Sequence, residues 1–184
     1  MTREEAFNLL KENLFNQNLI KHSLAVEAIM RALARHFDED EEKWALSGLL
    51  HDIDYDKVKG DLSQHSLLGS KLLEDLGIDK DICQAVKVHN EAHGIPPQTL
   101  MEKALFVTDP LTGLIVAATL VLPSKKLVDL TTENVLNRFK EKSFARGANR
   151  EIIKKCEELL GLKLEEFVKI GLLAMQKIGA QLAL

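Results

Sequence analysis

Gly48-Leu49-Leu50-His51-Asp52-Ile53 ends an apolar helical run with an imidazole and a carboxylate side by side. Adjacent residues on a helix project about 100° apart, so both can reach one point only if that point lies at the helix end, against neighbouring elements. Working outward, four further residues of the same chemistry stand on the apolar side of predicted helices: His22 upstream, then His65, His89 and Asp109. Burying any of them unpaired is costly. A lone histidine on an apolar stripe is more often a hydrogen-bonded core residue than a ligand. Six such residues from five helices share one inexpensive explanation, a common cation.

Apolar residues recur every three or four positions almost throughout, and no convincing period-two strand occurs, so the fold is predicted to be all-α. Thr2 and Glu5 read as a capping box opening a helix that runs to about Leu14. A second helix is expected over Leu19–His36, with His22, Val26, Ile29 and Leu33 on one stripe. The acidic run from Phe37 starts a third, which carries Trp44, Ala45, Gly48 and Leu49 into the His51-Asp52 pair. Asp54–Leu62 reads as a polar loop. Ser63 is expected to cap a fourth helix with the stripe His65, Leu68, Leu72 and Leu76, ended by Gly77. Asp79 caps a fifth bearing Ile82, Ala85, Val86 and His89. Thr99 and Glu102 read as a second capping box, opening a helix that carries Leu105, Phe106 and Asp109 and that Pro110 is expected to kink or end.

After Pro123 the composition changes. Helical segments near 133–142, 150–160 and 164–184 contain no further histidine. The chain therefore reads as one domain over 1–184, with a core at about 19–122 and a C-terminal helical cap at about 130–184.

The chain has 184 residues, enough for a substantial core, with 46% hydrophobic and 28% charged residues as in soluble globular proteins. A net charge of −4 argues against nucleic-acid binding, which needs a Lys/Arg excess, but leaves room for a small phosphorylated ligand. The two cysteines, Cys83 and Cys156, are far apart and read as reduced thiols. The acidic N-terminus lacks the pattern of a signal peptide, and the longest apolar stretch, Leu114–Leu122, is too short to span a bilayer. The expectation is a cytoplasmic protein with no membrane partner.

The order His…His-Asp…His…His…Asp resembles the HD-domain metal-dependent phosphohydrolases. The match lies in Lys21-His22-Ser-Leu-Ala-Val, Gly48-Leu-Leu-His51-Asp52, Gln64-His65-Ser-Leu-Leu-Gly, Val88-His89-Asn and Val107-Thr-Asp109, and it covers about Leu19 to Leu120. This resemblance implies an HD-type helical bundle with added C-terminal helices. His65 and His89 make the chain similar to the branches that hold two metals: the diadenosine tetraphosphatases, cyclic-nucleotide hydrolases and a few di-iron oxygenases. It implies that His22, His51, Asp52 and Asp109 hold a first metal, that Asp52 bridges, and that His65 and His89 serve a second. Ile53-Asp54-Tyr55-Asp56-Lys57 and Pro110-Leu-Thr-Gly depart from the tetraphosphatase pattern.

A nitrogen and carboxylate set without thiolate suits Fe, Mn, Zn, Co or Ni; the resemblance favours Fe or Mn. The implied activity is hydrolysis of a small nucleotide or other phosphate ester by metal-activated water, with His51 and Asp52 at its centre. The alternatives are a di-iron oxygenase on the same scaffold and a non-catalytic metal or nucleotide sensor. Asp54 or Asp56 could orient a ligating imidazole. Lys57 could neutralise a substrate phosphate, although a surface lysine is the plainer reading. Asn90 and His93 follow His89 closely enough to line its pocket. Arg146 and Arg150, in the basic stretch Arg138–Arg150, could clamp a phosphate, against the ordinary alternative of a solvated charged face.

Overall fold

The computed structural model describes residues 1–184, which form helices and connecting turns with no strand. Helix α1 (Arg3–Asn13) begins at the expected capping box: the Thr2 hydroxyl accepts from the Glu5 amide, and the Glu5 carboxylate accepts from the Thr2 amide. Helix α2 (Gln17–Phe37) is the spine. Its buried stripe of Val26, Ile29, Met30 and Leu33 packs along α3 (Glu41–Leu50), which Asp40 caps. Contact is closest at Gly48, where a Cβ would lie 3.0 Å from Glu27 N, Met30 Cγ and Val26 C.

Between α3 and α6 (Lys80–Val88) the chain makes the short helix α4 (Tyr55–Val58) and then α5 (Leu67–Asp75). Three expectations fail in this stretch. Asp54–Leu62 is not simply a polar loop, since α4 lies within it and Asp54 is fully buried. Ser66, rather than Ser63, stands at the N-terminus of α5, and it does so in the left-handed region at φ 70°. The predicted stripe is also rotated: Leu68 and Leu76 are exposed, while Gly69, Ser70 and Leu73 are buried. The cause is Asp54, which accepts from the Gly69 amide and lies so close that a Cβ at Gly69 would meet it at 3.2 Å.

Helix α7 (Leu100–Leu120) does not end at Pro110 but continues through it. Proline there removes one hydrogen bond to the preceding turn, and packing on both sides of α7 maintains the helix. The Thr99 hydroxyl accepts from the Glu102 amide as expected, but the Glu102 carboxylate reaches past Thr99 to the Gln98 amide. Because α7 does not stop at Pro110, it is the one helix long and apolar enough to cross a membrane, yet most of it is buried against α2 and its neighbours.

Helices α8 (Thr132–Lys140), α9 (Arg150–Lys154), α10 (Cys156–Leu160), α11 (Leu164–Lys177) and α12 (Gly179–Leu182) follow. Helices α8–α10 pack on α7, while α11 packs on α2 and α8. One hydrophobic cluster runs from Ala6 to Leu182, so the C-terminal helices share their apolar interior with the rest of the chain.

Gly48→Ala should lower stability by about 1–3 kcal/mol, because α2 and α3 must separate to admit the methyl group. Gly113, also inside a helix, has nothing within 4 Å of the position that a Cβ would take. Gly113→Ala should therefore stabilise by about 0.5–1 kcal/mol through helix propensity alone. Urea denaturation of the two variants checks the pair.

Candidate metal centre

The six residues come together at the end of the bundle where α2, α3, α6 and α7 meet. His51 and His89 each stand one residue past a helix, α3 and α6. The last carbonyls of a helix lack intrahelical donors. Each ring takes advantage of one: His51 Nδ1 lies 2.8 Å from Gly48 O, and His89 Nδ1 lies 2.6 Å from Val86 O. A carbonyl only accepts, so both rings carry the proton on Nδ1 and present a bare Nε2. His65, in the turn before α5, donates Nδ1–H to Asp54 Oδ1 at 2.8 Å. His22 Nδ1 lies 2.9 Å from the Thr112 hydroxyl, whose own proton goes to Asp109 O. That hydroxyl accepts from His22, and all four imidazoles turn Nε2 inward, where its lone pair is free for a cation once His22 and His65 give up the protons that their carboxylate partners favour.

These lone pairs converge on two carboxylates. His22 Nε2 lies 3.0 Å from Asp109 Oδ1 and 3.1 Å from His51 Nε2. Asp52 Oδ1 is 3.3 Å from the Nε2 atoms of both His51 and His65 and 3.5 Å from that of His89. Its other oxygen, Oδ2, is 3.5 Å from His22 Nε2. His65 and His89 Nε2 are 3.3 Å apart. Acceptors crowded this closely repel one another unless a cation stands among them.

The spacing fits a transition-metal ion. Bonds of about 2.0–2.2 Å in octahedral or tetrahedral geometry place ligand atoms roughly 3.0–3.5 Å apart. Two overlapping triplets, His22/His51/Asp109 and His51/Asp52/His89, each bring their ligand atoms within 4.8 Å of one another and could hold a metal ion. Without metal, protons take the cation's place. Burial opposes charge on His65, but its hydrogen bonds to Asp52 and Asp54 outweigh that and push its pKa up to about 10. Burial dominates at His51 and lowers its pKa to about 4. Asp52 is buried too, yet the surrounding imidazoles hold its carboxyl well below the usual range.

All of the cluster except the fully buried His51 lines a cavity of about 530 Å³, bounded also by Leu19, Tyr55, Phe106, Pro110 and, from the C-terminal region, Gly147 and Asn149. The sequence profile of the HD domain matches residues 19–114, more than half the chain and the segment that supplies all six residues. The chain belongs to the HD-domain family.

Among its relatives are ribonuclease Y of Oleidesulfovibrio alaskensis, 33% identical over 147 residues, and ribonuclease Y of Nitratidesulfovibrio vulgaris, 34% identical over 147. Each alignment covers 75% of this chain but 27% of the relative, so the chain spans about a quarter of the length of those enzymes. An uncharacterized protein of Methanocaldococcus jannaschii is 29% identical over 182 residues, covering 94% of this chain and 95% of the other. No solved structure matches.

HD domains bind divalent metals, and the groups around this cluster hold its rings in place. Asp54 is the buried carboxylate behind His65, and besides the ring it accepts from the amides of Ser66 and Gly69 at 2.8 and 2.7 Å. Those bonds sustain the left-handed backbone at Ser66. Asp56 instead ties down the Phe15 and Asn16 amides, away from the cluster. Asn90 lines the cavity and donates to the carbonyls of Leu62 and His65, while His93 Nε2 lies 2.7 Å from His65 O rather than among the inward-facing rings.

The suggested phosphate-binding residues fare differently. Lys57 is exposed and does not line the cavity. Arg146 is exposed beside Gly147, just outside the lining. Arg150 turns away from it: its guanidinium donates to the carbonyls of Arg138, Phe139, Glu141, Phe144, Ala145 and Ala148. Its five N–H donors are thus engaged in shaping the 138–148 loop, which leaves none for a phosphate. Thr112 was not expected from the sequence, although its place three residues after Asp109 on one helix face carries the signal.

Asp54→Asn puts an amide against two backbone donors. It should cost about 1–3 kcal/mol of stability and weaken metal binding about 10–100-fold, read by thermal melting and metal titration. Arg150→Lys should cost about 2 kcal/mol or more, because three donors on a flexible stem cannot replace the planar fork.

Proposed function

We propose that this HD-domain protein is a metal-dependent phosphohydrolase acting on a small nucleotide or related phosphate ester. The observation that carries the reading is the set of four imidazole Nε2 atoms that converge with two carboxylates beneath an open cavity of nucleotide size, which His22, Asp52, His65, His89 and Asp109 line. His22, His51, Asp52 and Asp109 would hold one divalent ion. Asp52, with its two oxygens turned towards different rings, would bridge to a second held by His65 and His89. Fe or Mn is favoured, and Zn, Co or Ni would suit the same donors.

When bound, such ions supply an activated water at neutral pH and positive charge for the phosphoryl oxygens. The protein's part is orientation. Gly48 O, Val86 O, Asp54 and Thr112 lock the four rings, so no reorganisation is needed as charge develops. Asp52 and Asp109 stay ionised and balance the metal charge. Tyr55 packs edge-on against His65 and lines that side of the cavity.

Similarity to ribonuclease Y supports a second reading, cleavage of a phosphodiester in RNA. Against it stands the net charge of −4, which offers little to a long phosphate backbone. Phosphate release without dioxygen uptake would separate hydrolysis from oxygenase chemistry, and binding without turnover would indicate a sensor.

With protein reconstituted in Mn²⁺ or Fe²⁺ and tested on nucleotides and phosphate esters, Asp52→Ala should reduce hydrolysis by about 10³-fold or more while circular dichroism stays helical. A fully active variant overturns the proposal. His65 keeps its proton up to about pH 10 in the metal-free protein, and ligation needs a bare Nε2. Metal uptake should therefore release protons and weaken as pH falls, which calorimetry in buffers of different ionisation enthalpy checks.

A further inference from the structure

The cavity above the cluster is acidic, and this restricts what it can accept. Its ionisable lining consists of Asp52, Asp109 and Glu91 together with His22, His65 and His89; no lysine or arginine is among the lining residues. The nearest cations lie outside. Arg146 is exposed beside Gly147, Lys155 Nζ sits over the Phe106 ring at 5.6 Å, and the Arg150 guanidinium is turned onto loop carbonyls.

Glu91 is an exposed side chain that lines the cavity and is tied to the C-terminal region by one hydrogen bond. Its Oε1 accepts from Asn149 Nδ2 at 2.9 Å, while Asn149 Oδ1 caps α9 by accepting from the Glu151 and Ile152 amides. Glu91 Oε2 takes no protein hydrogen bond and remains an acceptor for a hydroxyl of the ligand. A carboxylate in this position repels a phosphate and suits a sugar diol.

Resting on the proposed phosphohydrolase reading, we infer that the substrate carries a single phosphate, a phosphomonoester of a polyol such as a nucleoside monophosphate, and that Glu91 selects against further phosphates. Two divalent ions would bring +4 and the lining carboxylates Asp52, Asp109 and Glu91 −3, which leaves about one positive charge to set against a phosphomonoester of about −1.5 to −2 at pH 7 and none for a second phosphate. A second phosphate would have no cation in the lining and would meet Glu91; a polynucleotide would bring many. The reaction adds water across one P–O bond: the water oxygen bonds to phosphorus, the ester P–O bond breaks, and the leaving oxygen takes a proton, giving the free alcohol and inorganic phosphate.

The test compares AMP, ADP, ATP and the dinucleotide ApA as substrates of the Mn²⁺-reconstituted protein. It also measures calorimetric binding of two uncleavable analogues, an adenosine monophosphonate and α,β-methylene-ADP. AMP should exceed ADP, ATP and ApA in kcat/KM by about tenfold or more, and the monophosphonate should bind more tightly by a similar factor. Glu91→Lys should shrink both ratios about tenfold, by placing a cation where the second phosphate would lie. Equal or better cleavage of ADP, ATP or ApA overturns the single-phosphate inference and leaves the phosphohydrolase reading standing, as does an unchanged ratio in Glu91→Lys. Failure of all four compounds and of a general phosphomonoester such as p-nitrophenyl phosphate to release product overturns both.

Discussion

The site depends on the outward-facing nitrogen of each histidine. Nδ1 of His51 and His89 is held by a carbonyl that its own helix leaves free, His65 by a buried carboxylate, and His22 by a hydroxyl already committed as a donor to Asp109 O. These four bonds decide which face of each ring carries a proton. With the outer nitrogens occupied, the inner ones are left for a metal ion or for protons, and the bundle gathers them within 3.0–3.8 Å of carboxylate oxygens. A hydrophobic interior would not hold such a group of acceptors together without compensation. The rest of the architecture, from the close approach at Gly48 to the left-handed turn at Ser66, sets the positions of these rings.

The six residues at the centre were legible because they interrupt otherwise apolar stretches, and because the order of histidines and aspartates carries a family resemblance. Helix starts marked by Thr2, Asp79 and Thr99 were legible for a local reason, since a cap needs only its own next three residues. Features set by distant partners were not. Asp54 looks like a loop carboxylate until the turn at His65–Ser66 folds onto it, and that contact also shifts the buried face of α5. Pro110 reads as a helix breaker, but the packing of α7 outweighs one lost hydrogen bond. Arg150 sits in a basic run that reads as a phosphate clamp, yet its donors are consumed by carbonyls of the loop just before it.

The C-terminal helices do more than cover apolar surface. Arg150 gathers the 138–148 loop, and the residues on either side of Ala148 then reach the cavity rim. The hydrogen bond from Asn149 to Glu91 joins this loop to the segment directly after His89. The metal floor thus comes from the HD-domain core, while part of the wall comes from a region outside the family match at 19–114. In such an arrangement the chemistry and the choice of substrate rest on different parts of the sequence.

The hydrogen bond between His22 and Thr112 joins residues 90 apart in sequence. No unfolded or half-folded chain holds these groups together, so a cation that needs them binds only after most of the bundle has closed. Such an ion acts as a thermodynamic latch on the whole fold: once its free concentration exceeds its dissociation constant, each further tenfold rise adds about 1.4 kcal/mol to the stability of the closed chain. With a metal in this site, the resistance of the protein to unfolding would be tied to the metal supply of its surroundings, and depletion of that supply would loosen helices far from any ligand.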